Sequence, residues 1–200
     1  YYVSGSFRRD GSSRLSRDSR WGNFWSVSGS WRLSQEAFME SLSNVITDAK
    51  IRASYGVNGT QPKDYYGYMG VYEFGYNYNG NGGSSEARFY NPNLKWEKNY
   101  ATNIGIDLTL LNRLTISAEW YNRETKDLLM DKPISAAVGV INSAGTANML
   151  VNVGSMRNRG FELELKSTNI QNKDLFWTTS LNLGHNKNKL TKLDGEQQEI

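Results

Sequence analysis

The chain has 200 residues, 38% of them hydrophobic, a net charge of +3, one histidine and no cysteine. Its mean hydropathy is −0.63, and no run approaches the roughly 20 apolar residues of a spanning helix, so a helical membrane protein is excluded. Cations dispersed among 20 acidic residues argue against a nucleic-acid footprint.

Period-2 patterns recur along the chain. Residues 1–9 form the first, with Tyr1, Val3 and Phe7 on one parity. Residues 10–22 make a polar connection rich in Ser and Arg. The second strand, 23–33, sets Trp25, Val27, Trp31 and Leu33 against Ser26, Ser28, Ser30 and Arg32. Residues 34–48 exceed a hairpin turn and leave room for a short helix around 35–42. The third strand, 49–58, sets Ala49, Ile51, Ala53, Tyr55 and Val57 against Lys50, Arg52, Ser54 and Gly56. A long connection, 58–95, is dense in Gly, Asn and Tyr.

Residues 91–130 carry the clearest signal. The turn Asn91-Pro92-Asn93 leads into a strand with Thr102, Ile104, Ile106, Leu108 and Leu110 against Asn103, Gly105, Asp107 and Thr109. Residues 111–113 turn the chain. Leu114, Ile116, Ala118 and Trp120 then oppose Thr115, Ser117, Glu119 and Tyr121. A third long loop, 131–152, follows. The sixth strand, 158–167, and the seventh, 176–186, flank a turn at 168–174. Phe161, Leu163, Leu165, Leu181 and Leu183 share the apolar parity, and Glu162, Glu164 and Lys166 lie on the other.

Strands of about ten residues with apolar-out, polar-in alternation suit a transmembrane β-barrel. Low hydropathy does not oppose this, because only half of each strand meets lipid. Connections 10–22, 58–95 and 131–152 are polar and long, and those between them, 34–48, 111–113 and 168–174, are mostly short turns. That alternation predicts extracellular loops at one end and periplasmic turns at the other. Trp25, Trp31, Trp96, Trp120 and Trp177 are expected in aromatic girdles at headgroup level. The fold class expected is all-β, an antiparallel up-and-down meander of about seven strands. Seven strands cannot close a barrel, and a start at Tyr1-Tyr2 without Met reads as a piece of a longer chain.

Specific wording adds to the pattern. Phe7-Arg8-Arg9-Asp10-Gly11, Arg20-Trp21-Gly22-Asn23-Phe24-Trp25, Trp31-Arg32-Leu33-Ser34-Gln35-Glu36 and Ile51-Arg52-Ala53-Ser54-Tyr55-Gly56 are four such stretches. Asn91-Pro92-Asn93-Leu94-Lys95-Trp96-Glu97-Lys98, Tyr121-Asn122-Arg123 with Asp127-Leu128-Leu129, and Asn158-Arg159-Gly160-Phe161-Glu162 complete the series. In order and spacing the chain resembles the barrel of the SusC/RagA family of TonB-dependent outer-membrane transporters of Bacteroidetes. The resemblance implies about a third of a 22-stranded barrel, without the plug and N-terminal domain. It implies a SusD-like surface lipoprotein and TonB as partners, the latter through the absent N-terminal region. Import of glycans, oligosaccharides or peptides across the outer membrane is the implied activity.

No catalytic constellation is legible, and no cofactor or metal is expected. His185 reads as an interfacial residue, and a chain with one His and no Cys argues against zinc. Asn79-Gly80-Asn81-Gly82-Gly83 lacks the Lys-Ser/Thr of a phosphate loop and reads as connection. Glu97, Asp107, Glu119, Glu162 and Glu164 share the inward parity with Arg32, Lys50, Arg52, Arg123 and Lys166, as a wet wall. The ligand or lid candidate is the 58–95 loop, with Tyr65, Tyr66, Tyr68, Tyr72, Phe74, Tyr76 and Tyr78. A siderophore or cobalamin receptor, and a soluble carbohydrate-binding or adhesion sandwich, are the competing readings.

Overall fold

The computed structural model describes residues 1–138 and 148–193. Its strands are β1 (Tyr2–Gly11), β2 (Trp21–Arg32), β3 (Ile46–Thr60), β4 (Val71–Tyr78), β5 (Asn81–Arg88), β6 (Glu97–Leu110) and β7 (Leu114–Lys126), then β8 (Leu129–Pro133), β9 (Asn148–Asn152), β10 (Ser155–Gln171) and β11 (Phe176–Lys192). Among the described residues β1-β2-β3-β6-β7-β10-β11 form one antiparallel sheet in that order. The order is a meander, because β4–β5 and β8–β9 are separate two-stranded hairpins inside the long connections.

These two hairpins lie within connections expected only as long loops, 58–95 and 131–152. Asn79 (φ 52°) and Gly80 (φ 84°) supply the two positive-φ residues of a tight hairpin turn between β4 and β5. The expected helix at 35–42 is present as two short 3-10 turns, Leu33–Gln35 and Ala37–Leu42.

Register carries the two-faced pattern across the sheet. Ile51 pairs with Ile106, Ile106 with Ala118, Ala118 with Leu163, and Leu163 with Leu183. The next row runs Ala49, Leu108, Ile116, Leu165 and Leu181. The opposite face places Arg52, Gly105, Glu119, Glu162 and Gly184 in one row. A one-residue slip anywhere would exchange the faces, so the leucines and isoleucines hold the register. Ile104, Ile106, Leu181 and Leu183 remain exposed. A sheet with a bare apolar face and no second sheet over it among the described residues is not a sandwich.

The strands outrun the apolar band. β10 and β11 have 17 residues each, against the 9–11 that cross a bilayer. The surplus lies toward the long connections.

Candidate functional site

The buried core lies at the long-connection end, on the polar face. Phe24 shares parity with Ser26, Ser28 and Ser30, yet it is 1% exposed. Leu15, Leu94 and Trp96 cluster with it, and Tyr68, Leu129 and Leu150 pack around them. The Phe24 and Trp96 rings meet edge to face at 5.3 Å. The described parts of all three long connections therefore fold inward over the polar face and share one core.

Trp96 needs a correction. It is 8% exposed, and its indole N–H donates to the Arg20 carbonyl at 2.9 Å. It anchors the loops instead of standing in an outer aromatic belt. Parity with Ile104 misled because Trp96 precedes β6, where the backbone has left the pleat. Trp25, Trp120 and Trp177 are exposed, at 42%, 44% and 55%. Trp31 stacks on Tyr1 and donates its indole N–H to Glu36 at 2.8 Å. An apolar ring with a polar tip at a strand end suits an interface. Trp21, also exposed, joins this parity beneath Arg9.

Glycines beside Phe24 and Tyr121 leave room for their rings. A Cβ on Gly59 would stand 2.1 Å from the Phe24 ring, and one on Gly22 2.5 Å from it. Gly160 is likewise covered by Tyr121.

Hydrogen bonds tie the connections to each other. Ser12 Oγ donates to Gln61 at 2.8 Å, and Ser16 Oγ to the Pro92 carbonyl at 2.8 Å. Asn91 Nδ2 donates to the Leu150 carbonyl. The Asn152 amide accepts from the Lys95 N–H and donates to the Lys95 carbonyl, both at 2.8 Å, and also donates to the Asp127 carbonyl. The result is an interlocked collar. A cavity of about 290 Å³ opens in it, lined by Gln61, Asp64, Glu97, Asp131 and Leu150 among others.

The sequence-derived tyrosines divide between two roles. Tyr68 belongs to the core, and Arg14 lies over the Tyr65 ring at 4.3 Å. Tyr66 and Tyr72 are exposed, as is Phe74 at 84%. Tyr76 is at the edge of exposure, and the Tyr78 side chain lies outside what is described, as do residues 139–147 of the third loop. The collar was invisible in the sequence because Leu15, Leu94 and Asn152 sit in segments without periodicity.

Below the collar, the wall is ionic. Arg52 pairs with Asp107 at 3.3 Å and with Glu119, and Lys50 reaches Asp107 at 3.4 Å. Ser117 donates to Asp107 at 2.7 Å. These groups belong to β3, β6 and β7, so they brace three strands while staying open to solvent. Arg32 pairs with Asp48, and Lys166 with Glu164. His185 stands on the apolar parity beside Phe161, ring to ring at 5.7 Å. Among the described residues no group of His, Asp and Glu is arranged to hold a metal ion.

Residues 1–198 match the family model described as TonB dependent receptor-like, beta-barrel. TonB-dependent receptor P39 of Formosa agariphila is 36% identical over 197 residues, 98% of this chain and 18% of that protein. TonB-dependent receptor SusC of Bacteroides thetaiotaomicron is 35% identical over 206 residues, 98% of this chain and 20% of that protein. The chain thus spans about a fifth of the length of these relatives. Among solved structures, the RagAB peptide importer in its closed-closed state superposes with a TM-score of 0.85 at 32% identity, over 98% of this chain and 21% of that one. The siderophore receptor PirA from Pseudomonas aeruginosa shares the fold, with a TM-score of 0.54 at 15% identity over 88% of this chain and 30% of that one.

Proposed function

The chain belongs to the TonB-dependent receptor-like β-barrel family, whose members are outer-membrane barrels, and we propose that it is the wall of a nutrient importer driven by TonB. The apolar face meets lipid and the polar face meets the lumen. The long connections are extracellular, and residues 34–48, 111–113 and 168–174 lie on the periplasmic side. The cargo is a glycan, an oligosaccharide or a peptide, delivered beneath a SusD-like surface lipoprotein. TonB acts through an N-terminal region outside this sequence.

The observation that carries the reading is the fold of the collar over the polar face. An importer of bulky nutrients needs a lumen open to water and a fixed rim on which a lid can seat. The shared core of Leu15, Phe24, Leu94 and Trp96 makes the rim stiff, and the β4–β5 hairpin stands from it with Phe74 and Tyr72 exposed. Aromatic rings of this kind stack on sugar rings or on a partner surface. The siderophore alternative has only the shared fold behind it. An enzymatic role has no residues behind it.

The test is deletion of residues 71–88 in the full-length protein. Val71 and Arg88 are paired, so a two-glycine link closes the gap without disturbing the spanning strands. Outer-membrane insertion should stay normal, while growth on the cognate nutrient and co-purification of the lipoprotein fall. Normal uptake together with normal co-purification would reduce the hairpin to a covering.

A further inference from the structure

Above the apolar band, the lipid-facing parity changes character abruptly. Ile104, Trp120, Phe161 and His185 form one row. The next row toward the long connections is Thr102, Asn122, Arg159 and Lys187. The one after it is Tyr100, Glu124, Arg157 and Lys189. Arg159 is thus opposite Lys187, and Arg157 opposite Lys189, on the same face of the β10–β11 pair. Like charges directly opposed across strands destabilise a sheet, and here two such pairs follow one another.

Intramolecular compensation is thin at the inner pair, Arg159 and Lys187. Arg157 reaches Glu124 at 3.7 Å, a long contact that Lys126 shares at 3.7 Å. Arg159 and Lys187 are exposed and carry no ion pair among the described residues. The four cations lie immediately beyond an aromatic row, the level at which rings mark the boundary between acyl chains and headgroups. Basic clusters at that level bind anionic headgroups, and the planar Arg fork matches phosphate.

We propose that Arg157, Arg159, Lys187 and Lys189 form a binding site for the phosphorylated headgroup of a lipid in the leaflet on the long-connection side. The lipid's acyl chains lie down the apolar rows, over Phe161, Leu163 and Leu183. Its phosphate sits between Arg159 and Lys187 and relieves their repulsion, with Arg157 and Lys189 in the next row adding to the positive field. The site rests on the barrel reading of the sheet and adds to it a specific ligand, where membership of the family requires only a generic bilayer.

The experiment uses the full-length protein purified in a neutral detergent, with phosphorylated lipid A and the same lipid after enzymatic dephosphorylation as probes. Bound lipid is counted by native mass spectrometry and by the shift in thermal midpoint. The expected result is at least ten-fold tighter retention of the phosphorylated form, weakening as salt rises. The pair Arg159→Gln with Lys187→Gln should abolish the preference, and Arg159→Lys should keep most of it. Glu164→Gln on the opposite face should change nothing. Equal retention of the two lipids, or a preference unaltered in the double variant, would overturn the site and leave the barrel reading standing. Millimolar inorganic phosphate replacing lipid A in full would also overturn it, by reducing it to an anion site without acyl contacts. Failure of the double variant to insert is distinguished by Arg159→Lys, whose retained charge must then restore both folding and lipid preference.

Discussion

Phe24 shows how one ring can organise a wall that is otherwise polar. Its neighbours Gly22 and Gly59 leave room for the ring to lie against the sheet, and Trp96 closes over it. Gly59→Ala would drive a methyl into the ring at 2.1 Å, and overpacking of that kind costs roughly 1–3 kcal/mol. We expect a lower unfolding midpoint for Gly59→Ala in the full-length protein and no change for Gly82→Ala, whose added Cβ meets nothing within 4 Å. Equal midpoints would mean that Phe24 moves aside freely. A second strained point is the β6–β7 turn, where Leu111 (φ 51°) and Asn112 (φ 55°) are both left-handed. Leucine pays about 1–2 kcal/mol there, and Leu111 is exposed, so Leu111→Asn should stabilise by about 1 kcal/mol. A denaturant midpoint that falls would show that Leu111 makes contacts worth more than its strain.

At the scale of elements, the face assignment has a direct test. Ile106 lies in the middle of the apolar rows, and Thr109 faces the lumen side beside Thr115. Ile106→Arg should destabilise by roughly 2–4 kcal/mol, the cost of a cation at the bilayer midplane, whereas Thr109→Arg enters a wall already rich in charge. Comparable losses of folded barrel in the two variants would refute the assignment. The seven long strands were legible because alternation over ten or more residues admits one reading, and their observed bounds differ from those expected by a few residues at the ends. β10 and β11 were extended furthest, since Arg157, Lys187 and Lys189 keep the pleat while losing the apolar signal. β4–β5 was missed for the opposite reason. Asn79-Gly80 is a strong turn signal, but Gly82, Gly83, Ser84 and Ser85 offer no strand propensity. The loop tyrosines read alike in the sequence, which could not separate Tyr68, packed in the core, from exposed Tyr66 and Tyr72. Trp96 is buried among the loops instead of standing exposed, because parity has no meaning outside a strand.

For the molecule as a whole, the question is what replaces a conventional core. Leu15, Leu94 and Trp96 are buried around Phe24 at one end, while Ile104, Ile106, Phe161, Leu181 and Leu183 are open. β1 and β11 each have one unpaired edge in the observed order. In a bilayer the first deficit is met by acyl chains, and closure with further strands meets the second. In water neither is met, and bare edges beside an apolar face template association. Residues 1–200 expressed alone should therefore aggregate, or remain dispersed only in detergent. Size-exclusion chromatography with light scattering reads this directly, and detergent dilution should convert any dispersed species to aggregate. A monodisperse monomer in plain buffer that unfolds cooperatively would be incompatible with lipid as the missing half of the core. The collar would still be folded in that case, since its hydrogen bonds from Ser12, Ser16 and Asn152 do not depend on lipid. Comparing hydrogen exchange at the collar with exchange in β10 and β11, in detergent and after dilution, separates the two contributions. The collar amides should stay protected while those of the β11 edge exchange freely.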